Sequence, residues 1–390
     1  MKNIAMFRHI SSLMHEENVS LIGMLEGIRT FSAFLPIPVF SLYAFRFTDS
    51  GLMAGMALGV YGIAMIFSQM LLGHLSDIIG RKKIAYLSAI LFSLGNLISW
   101  HPFNILILIF SRAIAGFGAM SSPLLALLNE QADRERRTIY MATVGTFSGF
   151  GIVIGVIAGP WIMQYIGLSA LFLISAILGF ISIIPISMLK EHSVKSGAKS
   201  ALEINVPFFF SSFASSFLLF GSFFFLPLYW TSYASEMSYS TMILITLISA
   251  GILGIFISVR MGMKSSISTI TLLLFAVSAI FMFSLWKFQI LVATGFFIFA
   301  VGYTIFEIVF IPLLLKDRDR NYGSLIGFFN GGRYAGEFLG SITIGYFLGT
   351  SHIFCHLIRF TLLIDALMVF SIILLNAQYF KYGNMFNMHN

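Results

Sequence analysis

Glu26 and Arg29 stand three residues apart inside an apolar run, so one helical face would carry both. An ionisable group at membrane depth costs about 2.5–3.5 kcal/mol on insertion scales, and pairing an acid with a base offsets part of that cost. Two readings stay open for the pair. It is either a switch opened by a proton or an anionic substrate, or a static pair near a helix end with both side chains reaching for the interface. Glu307 lies in GYTIFEIVFIP with no cation within a turn on either side. Desolvation penalises the charged form of such an acid, and a carrier of protons needs a carboxyl that can load and unload one. The alternative is a neutral, hydrogen-bonded structural glutamic acid. Arg333 and Glu337, four apart in FFNGGRYAGEFLGS, form a further expected pair beside a stripe of Gly332, Gly336 and Gly340 that permits close helix approach. That pair either faces a central cavity or bridges helices structurally. Arg112 has no carboxylate nearby in sequence, so its partners are expected on the first apolar run. Asp365 reads as a lone, peripheral acid.

Other chemistry is poorly supplied. His352 and His356 are one turn apart beside Cys355, and their setting favours packing at an interface over a metal site. A single cysteine excludes an internal disulfide. No phosphate-cradling glycine loop of the Gly-Lys-Ser type occurs, so no ATPase activity, metal or cofactor is expected.

These groups need elements to hold them, and composition says which. The chain is 58% hydrophobic and only 10% charged, against about 25% charged in soluble domains, so it is an integral membrane protein of the all-α class. A spanning helix takes about 20 apolar residues, because roughly 30 Å of hydrocarbon is crossed at 1.5 Å per residue. That ruler predicts twelve spans near 19–44, 51–73, 84–100, 104–128, 139–163, 168–189, 206–230, 239–259, 266–286, 289–315, 322–349 and 354–376. The polar stretch KEHSVKSGAKSALEIN divides them into an amino-terminal six-helix bundle (1–189), a cytoplasmic linker (190–205) and a carboxyl-terminal six-helix bundle (206–390). With both termini cytoplasmic, the clusters at 81–83, 134–137, 190–199, 260–264 and 316–320 all fall on the inner side. Arg46 and Lys287 are left in the outer loops. The net charge of +7 then reads as topogenic rather than as an attraction for nucleic acid. The first residues, MKNIAMFRHISSLMHEEN, are too polar for a signal-peptide core. A multi-pass plasma-membrane (inner-membrane) protein, monomeric and surrounded by lipid, is expected.

The stretch GHLSDIIGRKK, from Gly73 to Lys83, joins the second and third spans. Its cations serve orientation, but orientation does not require Asp77. The equivalent second-half loop, RMGMKSS from Arg260, keeps Arg, Gly and Lys without a carboxylate. Either the two loops are a degenerate internal repeat of a two-fold related transporter, or both became basic under the same orientation rule.

Gly73, Leu75, Asp77, Gly80, Arg81 and Lys82 resemble the loop 2–3 signature of the major facilitator superfamily. Arg112 in SRAIAGFGAM resembles its fourth-helix motif. Gly155, Gly159 and Pro160 in GVIAGPWI resemble its fifth-helix antiporter motif, although Met163 and Gln164 replace the glycine pair expected after the proline. The wording ALGVYGIAMIFSQMLLGHLSDIIGRKK is most similar to the YajR-type branch of proton-coupled efflux proteins and drug:proton antiporters. The resemblance implies a secondary transporter working by alternating access, with a small organic molecule and protons as its partners. It exports by proton antiport, or as the alternative takes up a metabolite by proton symport; a transporter-fold receptor is the reading from another class. It further implies proton-linked roles for Arg29, Arg112 and Glu307. It implies that Asp77 caps the eleventh span, and that Arg81 bridges to Glu130, as a gate that locks the outward-facing state.

Overall fold

The computed structural model describes residues 17–118, 120–131, 137–190, 204–261, 265–315, 322–349 and 353–387. All regular structure among them is helical, as hydrocarbon requires of a chain that must satisfy its backbone within each segment. In order these are α1 (Glu17–Phe34), a 3-10 turn (Ile37–Val39), α2 (Phe40–Ala44), α3 (Gly51–Ile79), α4 (Arg81–Trp100), α5 (Ile105–Phe117) and α6 (Ser121–Gln131). There follow α7 (Arg137–Ile166), α8 (Leu168–Ile181), α9 (Ile183–Met188), α10 (Val206–Tyr233), α11 (Glu236–Met261), α12 (Ser265–Ala279), α13 (Gln289–Leu315), α14 (Tyr322–Leu348) and α15 (Ile353–Asn387).

Among the described residues, ten helices or helix pairs are long and apolar enough to cross a membrane. The remaining two of the expected twelve spans are the first (α1 to α2) and the eleventh (α14). They are less apolar because they carry Glu26 with Arg29 and Arg333 with Glu337.

Several spans are interrupted where the residues demand it. The first breaks after Phe34, where Pro36 and Pro38 cannot donate to a helical ladder. The fourth breaks around Gly118, directly after the turn that carries Arg112. The sixth changes from α8 to α9 at Ser182, ahead of Pro185. The ninth ends in a π turn, Ile280–Ser284, with Leu285 N donating to Ile280 O at 3.1 Å.

Packing divides the chain into two compact units. One takes the chain to Phe47 and from Ile63 through to the linker; the other takes Thr48–Gly62 and everything after the linker. The division therefore passes through α3. In the first unit Val19, Ile22 and Leu25 of α1 pack with Ala85, Ala89, Leu124, Leu128 and Val144. In the second, Ala250, Ile267, Ala300, Val301, Ile305 and Val309 form an aliphatic core, extended by a file of rings in which Phe306 meets Phe310 at 4.2 Å.

Each unit is built around one tight helix pair. In the first, α7 lays Gly151, Gly155 and Gly159 against the carbonyls of Gly27, Phe31 and Leu35; a methyl group at Gly159 would lie 2.0 Å from Leu35 O. In the second, α14 lays Gly332, Gly336 and Gly340 against the carbonyls of Phe209, Phe213 and Phe217 on α10. Hydroxyls cross both seams in the same register. Thr30 Oγ1 donates to Ser148 O at 2.9 Å, and Ser212 Oγ donates to Phe329 O at 2.7 Å. Each accepting carbonyl lies three residues before the first glycine of its stripe. The internal repeat is thus written in the helix seams.

Candidate functional site

In the first unit Glu26 is 3% exposed on α1. Its Oε2 accepts from Arg29 Nε at 3.0 Å, Arg29 Nη2 at 2.9 Å and Ser121 Oγ at 3.0 Å, the last from the start of α6. Its Oε1 is buried with no hydrogen-bond partner. The intrahelical spacing expected from sequence produces the pair, and the break between α5 and α6 brings Ser121 to it. Ser121 was not foreseen, because nothing in sequence links it to residue 26.

Arg112 on α5 is 1% exposed. Its Nη1 donates to Asn96 Oδ1 at 3.5 Å, and its guanidinium carbon stands 5.5 Å and 5.9 Å from the ring centroids of Phe40 and Phe172. Two aromatic rings therefore lie within cation–π range of this guanidinium. Phe40 belongs to the expected first span, whereas Glu26 accepts its hydrogen bonds from Arg29 and Ser121.

The second unit corrects two expectations. Glu307 on α13 is not unpaired: Arg333 of α14 donates Nη1 to its Oε2 at 3.3 Å and Nη2 to its Oε1. Nη2 also donates to Tyr303 Oη at 2.8 Å. Arg333 thus turns away from Glu337, its expected partner one turn along the same helix. The reason is geometric. Helix spacing makes Glu337 a neighbour in sequence, but α13 presents two acceptors, Glu307 and Tyr303, one turn apart on the face that meets the guanidinium. Tyr303 was missed, although its position four residues before Glu307 was a usable signal. Its ring is held between Phe299 at 5.6 Å and Phe306 at 6.2 Å. The side chains of Arg333 and Glu307 remain 19% and 31% exposed. Glu337 is buried against α3, where a methyl group at Gly62 would lie 2.9 Å from its Cδ.

In the Gly73–Lys83 stretch, Gly80 takes φ 115°, a conformation that favours glycine, and so separates α3 from α4. Gly73 lies against Ser122, whose Oγ a methyl group there would meet at 2.7 Å. Arg81 pairs with Asp77 one turn back and donates to Ser76 Oγ, joining two residues that the sequence assigned to separate contacts. The side chain of Glu130 lies outside the described residues. Lys82 Nζ donates to Ser187 O at 2.6 Å and Leu189 O at 2.9 Å, capping the carboxyl end of α9, where a cation is favoured. Asn18 pairs with the backbone of Lys190 in both directions, at 3.0 and 3.1 Å.

Gly155 and Gly159 form the α1–α7 seam described above, and Pro160 sits within α7. His352 lies outside the described residues. The His356 ring stacks on Phe347 at 5.1 Å, and Cys355 is exposed. Asp365 on α15 keeps Oδ1 buried without a hydrogen-bond partner.

Apolar helices of membrane length, packed in two units with repeated seams, mark a multi-pass membrane protein. The chain belongs to the major facilitator superfamily, whose family model matches residues 22–380. An uncharacterised transporter of Buchnera aphidicola subsp. Acyrthosiphon pisum is 28% identical over 334 residues, 80% of this chain and 85% of that protein. The inner membrane transport protein YajR of Escherichia coli (strain K12) is 33% identical over 158 residues, 40% of this chain and 35% of YajR. The multidrug resistance protein MdtM of Escherichia coli O157:H7 is 27% identical over 148 residues, 37% of this chain and 36% of MdtM. The chain thus spans less than half the length of several curated relatives it matches. A bacterial homologue of the human lysosomal transporter Spinster, crystallised in an inward-facing and occupied conformation, shares the fold. It superposes with a TM-score of 0.70 at 12% identity, covering 92% of this chain and 95% of that one. The family and these relatives are transporters, not enzymes.

Proposed function

We propose that this chain is a proton-coupled secondary transporter of a small organic molecule, working by alternating access in the bacterial inner membrane. The observation that carries the proposal is the Glu307–Arg333–Tyr303 cluster, a partly exposed ion pair between two helices of membrane length. A guanidinium keeps its charge throughout the physiological range, so protonation of Glu307 is the one event that discharges the pair. Discharge frees Arg333 and changes how α13 and α14 hold one another, which is what a conformational cycle needs from its coupling ion. Glu26 with Arg29, and Arg112 on its aromatic faces, would tune the first unit in the same cycle. Asp77 with Arg81 would act as a gate contact.

Similarity to MdtM, named as a multidrug resistance protein, supports export in exchange for protons. The pairing of Glu307 with an arginine supports the second reading, movement of substrate together with protons.

A substrate-independent experiment tests the coupling. Cys355 is the single cysteine, so Cys355→Ser gives a background for paired spin labels placed across α13 and α14. Distance distributions should shift between mildly acidic and mildly alkaline buffer, and Glu307→Gln should hold the acidic distribution at both. An unchanged pH response in Glu307→Gln would overturn the assignment.

A further inference from the structure

The coupling pair also restricts what it can carry. Arg333 gives Nη1 and Nη2 to the two oxygens of Glu307, a two-pronged match between a planar cation and a carboxylate, and Nη2 reaches Tyr303 Oη as well. A ligand can split this pair in three ways. A cation seated on Glu307 would leave Arg333 with only a phenol. An anion seated on Arg333 while Glu307 stays charged would leave a bare carboxylate. An anion on Arg333 together with a proton on Glu307 leaves neither group uncompensated, and an uncompensated charge inside a span is the costly outcome.

We infer that Arg333 binds the carboxylate of a small organic anion in place of Glu307, which at that moment takes up one proton. The inference rests on the proton-coupled reading above and names the substrate class for the same site. The fork that holds Glu307 is already shaped for an incoming carboxylate. The phenol of Tyr303, 2.8 Å from Nη2, supplies a hydroxyl beside the incoming oxygens. Its ring, packed between the buried Phe299 and Phe306, holds that hydroxyl in place beside the fork.

Few other charged groups are placed to interfere. Tyr334 adjoins Arg333 on α14, and Glu337 lies one turn further, buried beside Gly62. On the helices packed against α13, α12 has no titratable residue. α11 holds Glu236 and Arg260 near its ends and the buried Tyr239, while α10 holds Tyr229 and Tyr233. The bound state gains one anion and one proton, so it adds no net charge to the spans. Anion and proton would then cross together.

The test is calorimetric titration of the purified full chain with benzoate, phenylacetate and salicylate, with benzylamine as the cationic probe. Each is run in buffers of differing ionisation heat, so that the protons exchanged on binding are counted. At least one carboxylate should bind with uptake of about one proton, and its affinity should rise by up to about tenfold per unit fall in pH. Glu307→Gln should still bind it, with no proton uptake and no pH dependence. The double variant Arg333→Gln/Glu307→Gln, which leaves no lone charge, should not bind it. Binding of benzylamine with release of a proton that Glu307→Gln abolishes would keep proton coupling and overturn the anion. Carboxylate binding without proton exchange would overturn both. Failure of all three carboxylates to bind would overturn the anion assignment.

Discussion

In the first unit an arginine reaches back along its own helix to a glutamate; in the second, an arginine crosses from α14 to α13. The scaffolds beneath are alike: α1 with α7 and α10 with α14 share glycine stripes and a hydroxyl that donates across the seam in the same register. Arg333 directly follows Gly332, whereas the corresponding place after Gly151 is held by Ile152. An identical frame thus carries a closed pair on one side and a more open pair on the other. Glu26 and Arg29 retain 4% and 10% side-chain exposure, against 31% and 19% for Glu307 and Arg333. A closed pair with an extra hydroxyl suits holding a shape. An open pair sharing its guanidinium with a phenol suits exchange of partners.

The frame should be the least tolerant part. Gly159→Leu and Gly336→Leu, whose first added atoms would fall 2.0 and 2.2 Å from backbone oxygens, should abolish folded protein in size-exclusion profiles. Gly145→Ala, with nothing within 4 Å of the added methyl, should be silent. Next come the pairs. Arg29→Ala strands Glu26 in a buried setting and should cost about 3–5 kcal/mol in thermal unfolding, partly restored in Arg29→Ala/Glu26→Gln. Arg333→Ala should cost less stability than Arg29→Ala and more transport. The reverse order would erase the distinction between the two units. Smaller again, Ser121→Ala should lose about 1–3 kcal/mol, because it removes a donor from a buried carboxylate. Tyr303→Phe should cost about 1 kcal/mol in the same assay. Lys82→Met should be mildest, about 0.5 kcal/mol, seen as earlier proteolysis at the end of α9.

Helix number and rough limits were legible because an apolar run of membrane length has few alternatives to a helix. The breaks were only half legible. Pro36 and Pro38 announce themselves, but the gap near Gly118 depends on packing that no local pattern encodes. The Glu26–Arg29 pair could be read from spacing alone, because a helix dictates which residues meet at three positions apart. Glu307 looked solitary because its partner lies on another helix, and contacts across the fold leave no periodic trace. The same limit made Glu337 look like the natural partner of Arg333. In the charged loops, orientation pressure mimics a repeat. The repeat itself lies in paired glycine stripes, whose spacing was in plain view on one helix and unused on the other.

The division that passes through α3 has a consequence for biosynthesis. Gly51, Gly55 and Gly59 fit against the backbone near Gly345, Ser341 and Phe338 of α14, a helix translated well after the linker. The first part of α3 must therefore wait, its glycine face uncovered, until α14 has been made. A truncated product ending at the linker would keep this face uncovered. Co-expressed halves split at the linker should assemble only by returning α14 to it.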